Sequence, residues 1–228
     1  LSLIESRRPV FCGMYYEQVI YHVYNQSINY ELLFRERSNY LFFLEKLRSH
    51  ILPLADVISY CLMPDHFHLM LKPTALGCGP SRCGRFLRLD EGKLEEKFQQ
   101  RLSHGIKIVL SSYTRTINRQ YHRRGSLFRA KTKAKPGYSR FYPDSTGLDD
   151  LECYTRFIPY LQTCFHYIHD NPVKAQLVTD PMEWEFSSAL DYGGWRDSKL
   201  CNFSIAENLL GIKRSTDKTG PVILPYAA

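Results

Sequence analysis

The stretch from Ala55 to Lys72, ADVISYCLM followed by PD and then HFHLMLK, reads as two runs of strand formers joined by a tight turn at Pro64-Asp65. Both turn residues favour chain reversal, so the stretch folds back as an antiparallel hairpin. Side chains alternate along a strand, which sends His66 and His68 to one face of the second arm and Phe67 to the other. Two imidazoles on one rigid face make a platform for a divalent metal, because a strand fixes the directions of its ligands. Histidines at this spacing are also common as ordinary half-buried residues, so metal binding and plain packing both stay open here.

Outward from the hairpin, Gln18 to Gln26 alternates and predicts a first strand, and Arg37 to His50 has the apolar spacing of an amphipathic helix. Pro73 to Gly92 is rich in glycine with little periodicity and is expected to be a loop. A helix is expected over Lys93 to Tyr121, interrupted near Gly105, followed by a strand over Leu127 to Ala134. Strand, helix, hairpin, helix, strand is an α+β pattern: one antiparallel sheet with helices packed on one face. Pro136 to Asp150 reads as an inserted loop, and the tail from Ser198 onward carries little structural signal.

A second informative segment runs Phe165-His166-Tyr167-Ile168-His169-Asp170-Asn171-Pro172-Val173-Lys174. It closes a run in which Ile158, Leu161, Phe165 and Ile168 keep helical spacing, with Pro159 in a first turn and Pro172 forcing a stop. Tyr167 and Asn171 share one face of that helix. A tyrosine hydroxyl is a candidate nucleophile, and an amide oxygen one turn away either completes a metal shell or, before a proline, caps the helix end. The plainer alternative is that Tyr167 packs its ring and hydrogen-bonds its hydroxyl, as most of the 16 tyrosines must.

With 228 residues, 44% of them hydrophobic, the chain can bury a substantial core, and its net charge of +7 favours a polyanionic partner. That charge is concentrated. From Arg101 to Pro136 there is no aspartate or glutamate, while Arg101, Lys107, Arg115, Arg119, Arg123, Arg124, Arg129, Lys131, Lys133 and Lys135 are all basic. Arg115, Arg119 and Arg123 are expected along one helix face, and Lys131, Lys133 and Lys135 along one strand face. Such a surface binds phosphates with strong salt dependence, or is simply a solvated face. Tyr113, Tyr121, His122 and Phe128 interleave with it, either stacking on unpaired bases or packing in the core. No apolar run reaches membrane-spanning length, and Leu1 to Tyr15 is too broken by charge and proline for a signal peptide. The seven cysteines are scattered and read as reduced thiols, although Cys78 and Cys83 in the glycine-rich stretch are a weak zinc candidate.

The order of these pieces resembles a known family. Tyr21-His22-Val23-Tyr24-Asn25, then Tyr60-Cys61-Leu62-Met63-Pro64 leading into the two histidines, Gly125-Ser126-Leu127-Phe128-Arg129, Tyr167-Ile168-x-x-Asn171-Pro172-Val173-Lys174 and Trp184-x-Phe186-Ser187-Ser188 together resemble the single-tyrosine HUH transposases, within them the REP-associated tyrosine transposases. The likeness spans roughly Tyr15 to Gly194. It implies a ferredoxin-like antiparallel sheet with an added C-terminal tyrosine-bearing helix. The expected division is residues 1–14 as an extension, 15–195 as the transposase domain and 196–228 as a tail.

The resemblance implies a DNA transposase that cleaves and rejoins single-stranded, hairpin-forming palindromic DNA through a 5′-phosphotyrosine. Tyr167 is then the nucleophile, chosen over Tyr154 and Tyr160 because it alone fits the motif. His66 and His68 hold Mg²⁺ or Mn²⁺, with Asn171 the least secure, third ligand, and His169 and Asp170 face solvent. Arg115, Arg119, Arg123, Arg124, Arg129, Lys131, Lys133 and Lys135 form the DNA track. A cytoplasmic, nucleoid-associated protein is expected, with a monomer favoured over a homodimer and no membrane partner. The competing expectation is a non-catalytic nucleic-acid-binding protein with the same fold, which needs neither metal nor nucleophile.

Overall fold

The computed structural model describes residues 15–88, 94–137 and 150–216, apart from the side chains of 83–97 and 150–157. Strand β1 (Tyr21–Gln26) is followed by helix α1 (Arg37–His50) and by the hairpin, β2 (Ala55–Met63) and β3 (His66–Pro73). A short helix α2 (Ala75–Cys78) leads to strands β4 (Pro80–Arg88) and β5 (Leu94–Gln100), then to α3 (Arg101–Gln120) and β6 (Lys133–Pro136). The long helix α4 (Asp150–Lys174) and two shorter ones, α5 (Ala189–Tyr192) and α6 (Phe203–Leu210), follow. The main sheet has the order β2-β3-β1-β6 with every neighbour antiparallel. The fold is α+β, and leaving aside the β4–β5 insertion it has the strand–helix–hairpin–helix–strand course of a ferredoxin-like unit.

Alternation along the strands divides the core between the two faces of this sheet. Val23, Phe67, Leu69 and Leu71 face α1 and α3, whose Tyr40, Phe43, Leu44, Leu47, Leu102, Ile106, Val109, Tyr113 and Ile117 recur at three- and four-residue spacing. Ile20, Ile58, Cys61, Met63 and Met70 face the other way, against Leu161, Cys164, Phe165 and Ile168 of α4 and Ala206 and Leu210 of α6. Gly105 lets α3 approach the end of α1: a Cβ there would meet the His50 carbonyl oxygen at 2.7 Å. The helix is continuous through it, so the glycine serves a close approach rather than the interruption its sequence suggests.

Four expectations need correction. Pro73 to Gly92 is not a loop; α2 and β4 occupy its described part, and β4 pairs with β5, which takes up the start of the expected helix. Cross-strand pairing overrides the helix preference of Glu95, Glu96 and Lys97. The strand expected over Leu127 to Ala134 is broken: Phe128 bridges Ser27, and regular pairing with β1 resumes only at Lys133. Buried Asn25 fills the gap, its amide donating to the Arg129 carbonyl at 3.1 Å and to Thr132 Oγ1 at 3.0 Å. The tyrosine helix begins at Asp150 and continues through Pro172 to Lys174, ending where Gln176 takes a left-handed φ of 57°. Finally, residues beyond Ser198 are not featureless, since α6 docks against the sheet and Val57 bridges Cys201. The expected extension of residues 1–14 and most of the expected 136–150 loop lie outside the described residues. No helix among the described residues is long and apolar enough to cross a membrane.

Candidate active site at the tyrosine helix

Register builds one half of the site. Tyr24 is paired with His68 and Gln26 with His66, so the alternate residues His22 and Tyr24 of β1 share the face that carries His66 and His68. The turn that launches β3 is pinned from outside, with Ser27 donating to the Asp65 carbonyl at 2.8 Å and Leu33 to that of Pro64 at 2.7 Å. Phe67, between the two histidines, is 1% exposed in the opposite core and anchors the strand.

Three imidazoles meet there. His22 Nε2 lies 2.8 Å from His68 Nδ1, the two rings meeting edge to edge with centroids 5.0 Å apart and planes 27° from parallel. His66 and His68 stand edge to face, also at 5.0 Å, and His66 Nδ1 lies 2.6 Å from the Asp65 carboxylate. His68 Nε2 is buried with no hydrogen-bond partner. Burial, then the charges of His22 and His66, pushes His68 down to about 3, and burial followed by Lys135 pushes His22 down to about 4. Both rings are therefore neutral at physiological pH, the state in which an imidazole can ligate a metal.

Helix α4 supplies the other half. Leu161, Phe165 and Ile168 bury the helix against the sheet, while Tyr160, Tyr167, Asn171 and Lys174 follow a neighbouring stripe. The Tyr167 ring meets His68 edge to face at 5.6 Å and His22 at 6.2 Å. The ring stays 39% exposed, and Lys174 Nζ stands 4.7 Å over it. The histidine pair and Tyr167, separate in sequence, thus come together. Tyr160 lies on the β6 side: burial and then Cys164 push its phenol up, opposed by Lys135. The Tyr154 side chain lies outside the described residues.

Asn171 is buried, and its amide donates to the Tyr167 carbonyl at 2.7 Å within its own helix. That bond fixes the amide group and leaves the side-chain oxygen as the donor atom the residue has to offer. His169, expected in solvent, is instead buried, 2.7 Å from Ser188 Oγ, which also accepts from Tyr60 N at 2.9 Å. It packs on Phe165 at 4.4 Å, one turn earlier, so it belongs to the apolar side of α4. Nearby, Asp191 is fully buried and held by Arg196 at 2.7 Å, tying the segment after α4 to β2 through Tyr60.

The basic residues divide into three groups. Lys133 and Lys135 pair across from Tyr24 and His22 and are exposed at the rim of the site, with Lys135 Nζ 5.7 Å from the Tyr24 ring. Lys131, Arg124 and Arg129 are exposed on the approach to β6, while Arg115 and Arg119 are exposed on α3, in the layer across the sheet from Tyr167. Arg123 does not join that helix face. It lies past the end of α3, and its guanidinium forks onto Glu31 with two bonds of 2.8 Å and contacts Asn118 and Ser126. Among the expected base-stacking residues, Tyr113 and Phe128 are core, and Tyr121 bonds Asn39 at 3.0 Å. His22 and Tyr24 are the residues missed from sequence, although the alternation of Tyr21 to Asn25 beside β3 is a signal that finds them.

The donor set suits a two-nitrogen metal site. His66 and His68 each have Nδ1 engaged by a neighbour, and the unpartnered Nε2 of His68 is the kind of atom a cation satisfies. Among the described residues no group of three His, Cys, Asp or Glu side chains is arranged to hold a metal, so further ligands would be Asn171, water or substrate oxygen. Cys78 is a free, half-buried thiol, and the Cys83 side chain lies outside the described residues.

No family profile matches the chain. No curated protein matches it. Among solved structures, a REP-associated tyrosine transposase bound to a REP hairpin is similar, with 12% identity, 93% of this chain and 94% of that chain covered, and a TM-score of 0.49.

Proposed function

We propose that this chain is a divalent-metal-dependent DNA transposase that cleaves and rejoins single-stranded, hairpin-forming DNA through Tyr167. The approach of the Tyr167 ring to His68, 5.6 Å between centroids, carries the proposal: an exposed phenol stands beside neutral imidazoles of which one has an unsatisfied buried nitrogen. A non-catalytic nucleic-acid-binding surface needs no such meeting.

Tyr167 Oη attacks the phosphorus of a DNA phosphodiester, the bond from phosphorus to the 3′ oxygen breaks, and the phenol proton leaves to solvent while the 3′ oxygen takes one up. The product is a 5′-phosphotyrosine and a free 3′-hydroxyl; reversal with another 3′-hydroxyl rejoins a strand without further energy input. Lys174, over the ring, sets positive charge where negative charge builds on the phosphoryl group. Lys133 and Lys135 hold the strand by its phosphates at the rim. His66 and His68 would hold Mg²⁺ or Mn²⁺, with Asn171 the candidate third ligand; when bound, the ion polarises the scissile phosphate.

The test is incubation of the protein with end-labelled hairpin DNA and Mn²⁺ or Mg²⁺, resolved on a denaturing gel beside Tyr167→Phe. A metal-dependent covalent adduct absent from the variant is the expected result. Tight, salt-sensitive binding without any adduct would replace the enzyme by a nucleic-acid-binding protein.

A further inference from the structure

Each member of the His66 and His68 pair has its Nδ1 held by a neighbour, but the two neighbours differ in kind. The partner of His66 is the Asp65 carboxylate at 2.6 Å, an acceptor only, so Nδ1 carries the proton and a neutral His66 offers Nε2 as a lone pair. The partner of His68 is another imidazole, His22 at 2.8 Å, which can accept or donate. Two arrangements of the shared proton are therefore chemically distinct.

If His22 donates, the proton of His68 sits on Nε2, and the structure then holds a buried N–H with no acceptor, since that atom has no hydrogen-bond partner. Orphaned buried N–H donors are rare, and a cation can satisfy a lone pair but never an N–H. If His68 donates from Nδ1, Nε2 is a bare lone pair facing the tyrosine side of the sheet. We infer that His22 is a positioning residue: it accepts the Nδ1 proton of His68 and thereby fixes the tautomer in which His68, like His66, presents a lone pair on Nε2 to a cation. The two rings, 27° from parallel with centroids 5.0 Å apart, meet edge to edge as a hydrogen bond between ring nitrogens requires, and that bond also holds the plane of His68. His22 thus does for His68 what Asp65 does for His66, and carboxylate or carbonyl partners of ligating histidines act in the same way.

The consequence for metal binding rests on the function proposed above; the tautomer does not. Long-range ¹⁵N-edited NMR of the metal-free full chain reads the His68 ring nitrogens directly, and the expected pattern is Nδ1–H with a bare Nε2. An Nε2–H pattern in the wild type overturns the inference, whatever the protein does to DNA. Titration with Mn²⁺, followed by calorimetry and by electron paramagnetic resonance, supplies the second arm. His22→Phe, which keeps a ring but offers no acceptor, is expected to lower Mn²⁺ affinity about 10- to 100-fold, and His22→Gln, whose side-chain oxygen accepts, to restore most of it. Equal affinity in wild type and His22→Phe overturns the positioning role. Absence of Mn²⁺ binding by the wild type removes the metal from the proposed function, and the NMR pattern alone then decides the inference.

Discussion

The two faces of the central sheet are built from the same strands by different rules. Toward α1 and α3 the strands present Val23, Phe67, Leu69 and Leu71, and the described side chains that meet them are chiefly aromatic and aliphatic. Toward α4 the alternate positions are His22, Tyr24, His66 and His68 beside Met70, and the buried histidines His68 and His169 both lie on this side. One residue step along β3 thus separates a side chain whose task is to fill volume from one that is left with an unsatisfied nitrogen. Interiors close-pack, so a buried polar atom without a partner persists only where something else over-determines its place. Here Phe67 and the pinned Pro64-Asp65 turn do so, which makes the apolar face the support of the polar one.

The sharpest separation of the two faces is between activity and stability at neighbouring layers. Tyr167→Phe should abolish the covalent adduct while changing the unfolding free energy measured in urea by no more than about 0.5 kcal/mol, because Tyr167 is exposed; an adduct that persists would move the nucleophile to another tyrosine. Phe67→Ala should do the opposite in kind, costing about 3–5 kcal/mol through the cavity it leaves. A loss below about 1 kcal/mol in its equilibrium unfolding would mean that the apolar face is not the support.

Acid should distinguish the faces next. Burial, followed by the charge of His166, pushes His169 down to about 3, well below its ordinary value near 6.5. The folded state therefore keeps this ring neutral while the unfolded chain takes up a proton, so the stability it confers is complete above about pH 6.5 and falls as the pH drops toward 3. Each such histidine contributes a slope of about 1.4 kcal/mol per pH unit in that window. Urea unfolding between pH 5 and pH 7 should show that slope reduced by this amount in His169→Gln; identical slopes would leave His169 without the linkage. Hydrogen exchange at pH 5 should open α4 before α1 and α3, and uniform opening would erase the contrast.

The smallest expected effect concerns the rim. Replacing Lys133 and Lys135 by Gln should lower the slope of log affinity for single-stranded DNA against log salt by about 0.7 per lost phosphate contact. Arg123→Gln, which breaks the fork with Glu31, should leave that slope unchanged and weaken folding instead. A salt slope that responds equally to both would place Arg123 on the DNA track after all.

Much of the fold could be read from periodicity. The hairpin, α1 and the sheet face carrying His66 and His68 followed from alternation and turn chemistry, which are local. The β4–β5 pair was missed because a charged run such as Leu94 to Gln100 becomes a strand only through its partner. Helix α4 was placed correctly around Tyr167 but began too late, since Pro159 was read as a start signal and lies inside the helix instead. His169 was misjudged for a different reason: it was assigned by motif, whereas its spacing from Leu161 and Phe165 already put it on the buried side. The third histidine was legible in principle, yet only register says which residue of one strand stands beside which residue of the next.

The clamp on α4 has a consequence in time. Ser188, Tyr192, Ala206 and Leu210, which seat the tyrosine helix, all follow it in the chain, and Asp191 and Arg196 lock their segment to β2 only once both are present. Synthesis proceeds at roughly 5–20 residues per second, and earlier segments begin to fold before later ones emerge. On the ribosome the residues of the histidine face are thus synthesised seconds before those that seat the tyrosine helix, and the cleavage proposed for Tyr167 must wait for them.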